Sequence, residues 1–116
     1  MSTTTPALRV TSANLNGIRS ASSKGFFDWM QTHGADVICV QELKAQAADM
    51  TAAMLAPEGY IGHFHYAEKK GYSGVGIYSR QAPERVTQGI KHAAFNAEDR
   101  FVRADFGNLS VISVYV

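Results

Sequence analysis

Asp36-Val37-Ile38-Cys39-Val40-Gln41-Glu42 decides how this chain folds. Val37 to Val40 form an unbroken apolar run between polar residues. A strand with one wet face alternates apolar and polar side chains. A continuous run is instead buried on both faces, as in a sheet with parallel neighbours. Upstream, Leu8 to Leu15 reads as another strand, with Leu8, Val10, Ser12 and Asn14 on one face. Between the two, Ser22 or Ser23 is expected to cap a helix running to about His33. Phe26, Trp29, Met30 and His33 sit in it at helical spacing, and Gly34 stands just past its end. Strand, helix, strand over this span is a βαβ unit, which makes the fold class α/β.

Downstream, Ala45 to Leu55 reads as a helix ended by Pro57-Glu58-Gly59. Tyr60 to Tyr66 and Gly74 to Ser79 read as strands around a polar loop, Glu68 to Ser73, and Val86 to Ile90 as a weaker strand. Phe101 to Phe106 and Leu109 to Val116 flank Gly107-Asn108, which predicts a hairpin. No repeat or linker divides the chain. The sequence stops inside a strand, so residues 1–116 are expected to be the N-terminal part of a single domain whose C-terminal part is absent.

Composition narrows the function classes. The chain is 46% hydrophobic and 18% charged, which is globular rather than disordered. A net charge of +1 means that any nucleic-acid surface must be local. The lone cysteine, Cys39, lies in the apolar run and permits no internal disulfide, which fits a reducing, cytoplasmic setting. No apolar stretch approaches the roughly 20 residues of a membrane span, so no membrane partner is expected. A monomer is expected.

Functional residues of open α/β sheets gather at the carboxyl ends of parallel strands. Asn14 ends the first strand and Glu42 follows the second, so both reach one mouth if the strands are neighbours. A carboxylate and an amide oxygen are hard ligands that suit magnesium. Position alone leaves another reading open: a Glu after a buried strand is ordinarily a solvated loop residue, and an Asn before a turn a turn former. Lys69-Lys70-Gly71-Tyr72-Ser73-Gly74 offers cations, an aromatic ring and glycines to a phosphodiester backbone, or else is a solvated turn. Arg19 and Lys44 are possible phosphate contacts. Tyr115 shares a strand face with Leu109, Val111 and Ser113, which favours burial. His63 and His65 share a strand face, but no histidine has metal-ligand spacing with a Cys or Asp.

The segments are more specific together. Ser12-Ala13-Asn14-Leu15-Asn16-Gly17-Ile18-Arg19-Ser20-Ala21 resembles the opening motif of the exonuclease III family of abasic-site endonucleases. Asp36 to Lys44 resembles its second motif, Gly71-Tyr72-Ser73-Gly74-Val75-Gly76-Ile77 its third, and Ile112-Ser113-Val114-Tyr115-Val116 the start of its fourth. The order and distances are family-like.

That resemblance implies the N-terminal part of a four-layered α/β sandwich, DNase I-like, with two mixed β-sheets flanked by helices. It implies a hydrolase of the endonuclease/exonuclease/phosphatase superfamily, cutting DNA 5′ to abasic sites and processing 3′ ends. The partner is double-stranded DNA with abasic sites or 3′ ends, and the cofactor is Mg2+, with Mn2+ as the alternative. Glu42 matches the metal ligand. Asn14 matches the active-site Asn that supports the metal site, and is carried as a catalytic and metal residue. Tyr115 matches the active-site Tyr near the scissile phosphate. Arg19, Lys44, Gly71, Tyr72, Ser73 and Arg100 are carried as DNA-binding. Leu43 stands where the motif usually has Thr, and Asn16 where some relatives are acidic. The family's Asp-x-Asn and Ser-Asp-His motifs have no counterpart in these 116 residues. The fragment alone is therefore expected to be inactive. A superfamily phosphodiesterase acting on another substrate, or a non-catalytic fragment, are the competing readings.

Overall fold

Two sheets account for the strands of the computed structural model, which describes residues 8–67, 74–90 and 100–115. The first holds β1 (Val10–Asn14), β2 (Val37–Gln41), β3 (Ile61–His65) and β4 (Val75–Ser79) in the order β1-β2-β4-β3. The second holds β5 (Arg85–Ile90), β6 (Arg100–Phe106) and β7 (Leu109–Tyr115) in chain order. β1 and β2 pair in parallel, as the βαβ reading requires, while β4 runs antiparallel to β2 and to β3. The first sheet is thus mixed. β6 and β7 form the hairpin expected around Gly107-Asn108. Gly107 there has φ 61°, in the left-handed region that glycine enters without steric cost.

The apolar run of β2 is explained by what lies on each side. Ile38 and Val40 point to a core shared with Ile18, Met30, Leu43 and Tyr78 beneath the helices. Val37 and Cys39 point the other way, and with Val75 and Ile77 they meet Val102, Ala104 and Val111 of the second sheet. Burial pushes the Cys39 thiol up to about 11. Three layers result: helices, first sheet, second sheet. Two packed sheets with helices on one of them are the part of the expected sandwich that the described residues contain. No helix among the described residues is long and apolar enough to cross a membrane.

The helices depart from the sequence reading. Ser22 and Ser23 do not cap the first helix; they end a short one, α1 (Ile18–Ser23). Lys24 and Gly25 then turn the chain, and α2 (Phe26–His33) begins after Gly25, whose φ is 91°. The early start follows from Ile18, which is fully buried and donates its backbone N–H to the Leu43 carbonyl at 2.8 Å. Met30 is buried as expected, but Trp29 is exposed and stacks on His33 with ring centroids 4.4 Å apart. Ala45 to Leu55 is not one helix. It divides into a 3-10 turn (Ala47–Asp49) and a short α3 (Ala52–Leu55). Asp49 accepts the Gln46 N–H and Thr51 accepts the Met54 N–H, so two local caps start two separate turns.

Candidate active site

Parallel pairing places Asn14 opposite Gln41, so the chain leaves β1 and β2 at the same end of the sheet. The two exits are then zipped together by their backbones. Leu15 N–H donates to Gln41 O at 3.0 Å, Gly17 N–H to Glu42 O at 2.8 Å, and Ile18 N–H to Leu43 O at 2.8 Å. This lacing forces three residues other than glycine into left-handed backbone: Asn16 (φ 48°), Glu42 (φ 54°) and Lys44 (φ 52°). Each costs about 1 kcal/mol or more, and such residues gather where a site over-determines its backbone.

The side chains there form one polar group. Asn14 Nδ2 donates to Glu42 Oε2. Asn14 Oδ1 accepts the Asn16 backbone N–H at 3.0 Å. The opposite amide orientation would set oxygen against carboxylate and NH2 against N–H, so the hydrogen bonds fix which way Asn14 faces. The oxygen keeps a second lone pair beside that hydrogen bond, so the expected role of Asn14 as a metal ligand stays an expectation. Its nitrogen braces the Glu42 carboxylate. Lys44 Nζ donates to Asn16 Oδ1 at 2.6 Å and lies 3.9 Å from Glu42 Oε1. Arg19 donates to the Lys44 carbonyl at 3.0 Å, lies 4.0 Å from Asp49, and remains mostly exposed.

Tyr115 is half-buried at the end of β7, on the face that Val111 and Ser113 turn toward the first sheet. Leu109, on that same face, is exposed. Gln41 and Ser113, neither singled out from the sequence, join the two walls: Gln41 Nε2 donates to Ser113 Oγ at 3.2 Å, and Ser113 Oγ donates to Val40 O at 3.0 Å. The signal that could have found Gln41 is its parity, for it faces the second sheet with Val37 and Cys39 yet carries an amide.

Gly71, Tyr72 and Ser73 lie outside the described residues. Arg100 opens β6 in register with Tyr115. His63 is not grouped for metal binding: its Nε2 is enclosed with no hydrogen-bond partner among the described residues, and burial holds its pKa below the ordinary imidazole value. No cluster of three His, Cys, Asp or Glu occurs among the described residues. A single partly exposed carboxylate braced by an amide still fits magnesium, which takes one or two carboxylates and keeps several waters.

The two-sheet sandwich agrees with what known proteins show. The model of the Endonuclease/Exonuclease/phosphatase family matches residues 11–116. The chain belongs to this family. An exodeoxyribonuclease of Bacillus subtilis (strain 168) is 37% identical over 109 residues, covering 93% of this chain and 42% of the relative. A DNA-(apurinic or apyrimidinic site) endonuclease of Dictyostelium discoideum is 29% identical over 109 residues, covering 94% of this chain and 30% of the relative. Among solved structures, a Neisseria 3′ phosphatase bound to product DNA hairpin matches with a TM-score of 0.78 at 26% identity, covering 94% of this chain and 41% of that one. The chain therefore spans less than half the length of these Endonuclease/Exonuclease/phosphatase relatives.

Proposed function

We propose that this chain supplies the metal-ligand wall and part of the DNA-contact rim of a magnesium-dependent phosphodiester hydrolase of DNA base-excision repair. The proposed substrates are duplex DNA at abasic sites and at 3′ ends. The observation that carries the reading is the Glu42 carboxylate, braced by Asn14 at the carboxyl ends of two parallel strands, with Lys44 Nζ 3.9 Å away and Arg19 on the Lys44 carbonyl. The relatives named as an exodeoxyribonuclease and an abasic-site endonuclease support the same substrate class.

Glu42 is the proposed magnesium ligand and Asn14 the residue that orients it. A magnesium ion held there by Glu42 would supply positive charge against the charge that develops on the phosphate and the leaving oxygen. Lys44 and Arg19 hold backbone phosphates beside it, with Gly71, Tyr72, Ser73 and Arg100 extending that contact. Tyr115 donates its hydroxyl to a phosphate oxygen. An abasic nucleotide has no base to unstack, so its extrusion costs little, which is a physical basis for selectivity. The groups that activate the attacking water are assigned to the Asp-x-Asn and Ser-Asp-His motifs absent from these 116 residues. We read the chain as the N-terminal part of one domain acting as a monomer. The single free, buried Cys39 supports a reducing, cytoplasmic setting.

The test has two arms. The 116-residue protein is titrated with duplex DNA carrying one abasic site and, in parallel, with phosphoinositide vesicles. Tighter, salt-sensitive binding to the DNA is expected, and preference for the lipid headgroup would sink the DNA reading. The same protein is then assayed for incision with magnesium. No cleavage is expected. EDTA-sensitive incision that is lost in Glu42→Ala would keep the nuclease reading and overturn the assignment of water activation to other motifs.

A further inference from the structure

Gln41 is the half-buried polar residue that ends the otherwise buried, apolar strand β2. Along β2, Val37 and Cys39 face the second sheet and meet Val102, Ala104 and Val111. Gln41 continues that face, where a leucine of similar size would fill the same space at no hydrogen-bonding cost. Its amide nitrogen has two hydrogens. One goes to Ser113 Oγ of β7 and one to Ser12 Oγ of β1, both at 3.2 Å. Ser113 is almost wholly buried, at 1% exposure, and passes its own hydrogen to the Val40 carbonyl at 3.0 Å. One amide therefore ties three strands of two sheets at one rim. The buried side chains packed between the two sheets are apolar, a contact that is strong but tolerates sliding, whereas hydrogen bonds fix register.

The position of this link in the chain matters. Gln41 immediately precedes Glu42, and Ser113 precedes Tyr115 by two residues on the same strand face. We infer that Gln41 is a positioning residue whose amide, through Ser113, sets the separation of Glu42 on the first sheet from Tyr115 on the second. This rests on the roles proposed above for Glu42 and Tyr115. Gln41 touches neither metal nor phosphate. It holds the two walls that do at a spacing the apolar interface alone does not enforce.

The experiment uses the 116-residue protein, Mn2+ as the probe, and NMR of the Tyr115 ring, assigned by its loss in Tyr115→Phe. In the wild type, Mn2+ is expected to broaden the Tyr115 signals. In Gln41→Leu and in Ser113→Ala, the melting temperature and the Mn2+ affinity should stay close to wild type while the broadening at Tyr115 falls severalfold. Unchanged broadening overturns the inference. So does parallel loss of Mn2+ affinity and melting temperature, which would mark a residue that merely holds the fold. If the wild type and Glu42→Ala bind Mn2+ equally, it is the metal reading that fails. The link is then judged without metal, by hydrogen exchange of the Ser113 to Tyr115 amides. Exchange that is selectively faster in Gln41→Leu, with Val102 and Val111 unchanged, supports it, and unchanged exchange overturns it.

Discussion

Glu42 stands in left-handed backbone, φ 54°, and its carboxylate is only partly exposed. Neither condition favours stability, and both follow from the lacing of the two strand exits. Glu42→Gln keeps an oxygen for the Asn14 amide and removes the charge. We expect Mn2+ affinity, measured by electron paramagnetic resonance, to fall by roughly an order of magnitude or more, about 1.4 kcal/mol, with little change in melting temperature. His63 tests the interior. Burial holds its pKa below the ordinary value, so the unfolded chain takes up the proton first. Stability is then complete above about pH 6.5 and falls as pH drops below it toward the folded-state value. Urea midpoints measured at about pH 7.5 and about pH 5 should show that loss, and His63→Leu should flatten it. A pH-independent midpoint in the wild type would refute the sign.

β3 and β4 show how a pair of strands sets the space above it. Gly76 lies opposite Phe64 in the register, and a methyl group there would overlap the Phe64 ring. That ring also meets Tyr78 edge-on at 5.3 Å, while the Tyr78 hydroxyl donates to the Met54 carbonyl at 2.6 Å. One aromatic stack therefore joins α3, β3 and β4. Gly76→Ala should destabilise the protein by about 1–3 kcal/mol, read as a lower urea midpoint with an unchanged slope. At the hairpin, Gly107→Ala places a Cβ in left-handed backbone with open space around it. The expected loss is smaller, about 1 kcal/mol, because only the backbone conformation is strained.

Across the whole molecule, the two sheets meet through an apolar cluster while the outer face of the second sheet carries no packed element among the described residues. Phe101, Ile112 and Val114 line a depression of about 410 Å³ there, beside Arg85, Arg103 and Asp105. Ile112 is 53% and Val114 42% exposed. Asp105 is held below the usual carboxylate range by hydrogen bonds from Ser110 and Arg103, so the polar half of this face is already internally satisfied. The apolar half is the self-association liability. Ile112→Lys should lower light scattering at high protein concentration and leave the melting temperature nearly unchanged, since no buried contact is lost. A large drop in melting temperature would mean that Ile112 is packed in solution.

The sequence by itself determined the alternation of strands, the βαβ unit and the β6–β7 hairpin, and it placed Asn14 and Glu42 at one mouth on condition that β1 and β2 are neighbours, which the fold meets. These depend on local spacing: period-two faces, turn dipeptides and a double-sided apolar run. It did not determine where the helices break. Ile18 is drawn into helix by a bond to Leu43, far along the chain, and Gln46 and Thr51 each start a separate turn. Nor did it determine the orientation of the Asn14 amide, because which end faces Glu42 depends on the Asn16 N–H that the folded turn presents to it. Gln41 and Ser113 belong wholly to the tertiary structure. They lie 72 residues apart, and only the packing of one sheet on the other makes them partners. Local pattern places side chains on a face; what that face meets is decided by the element folded against it.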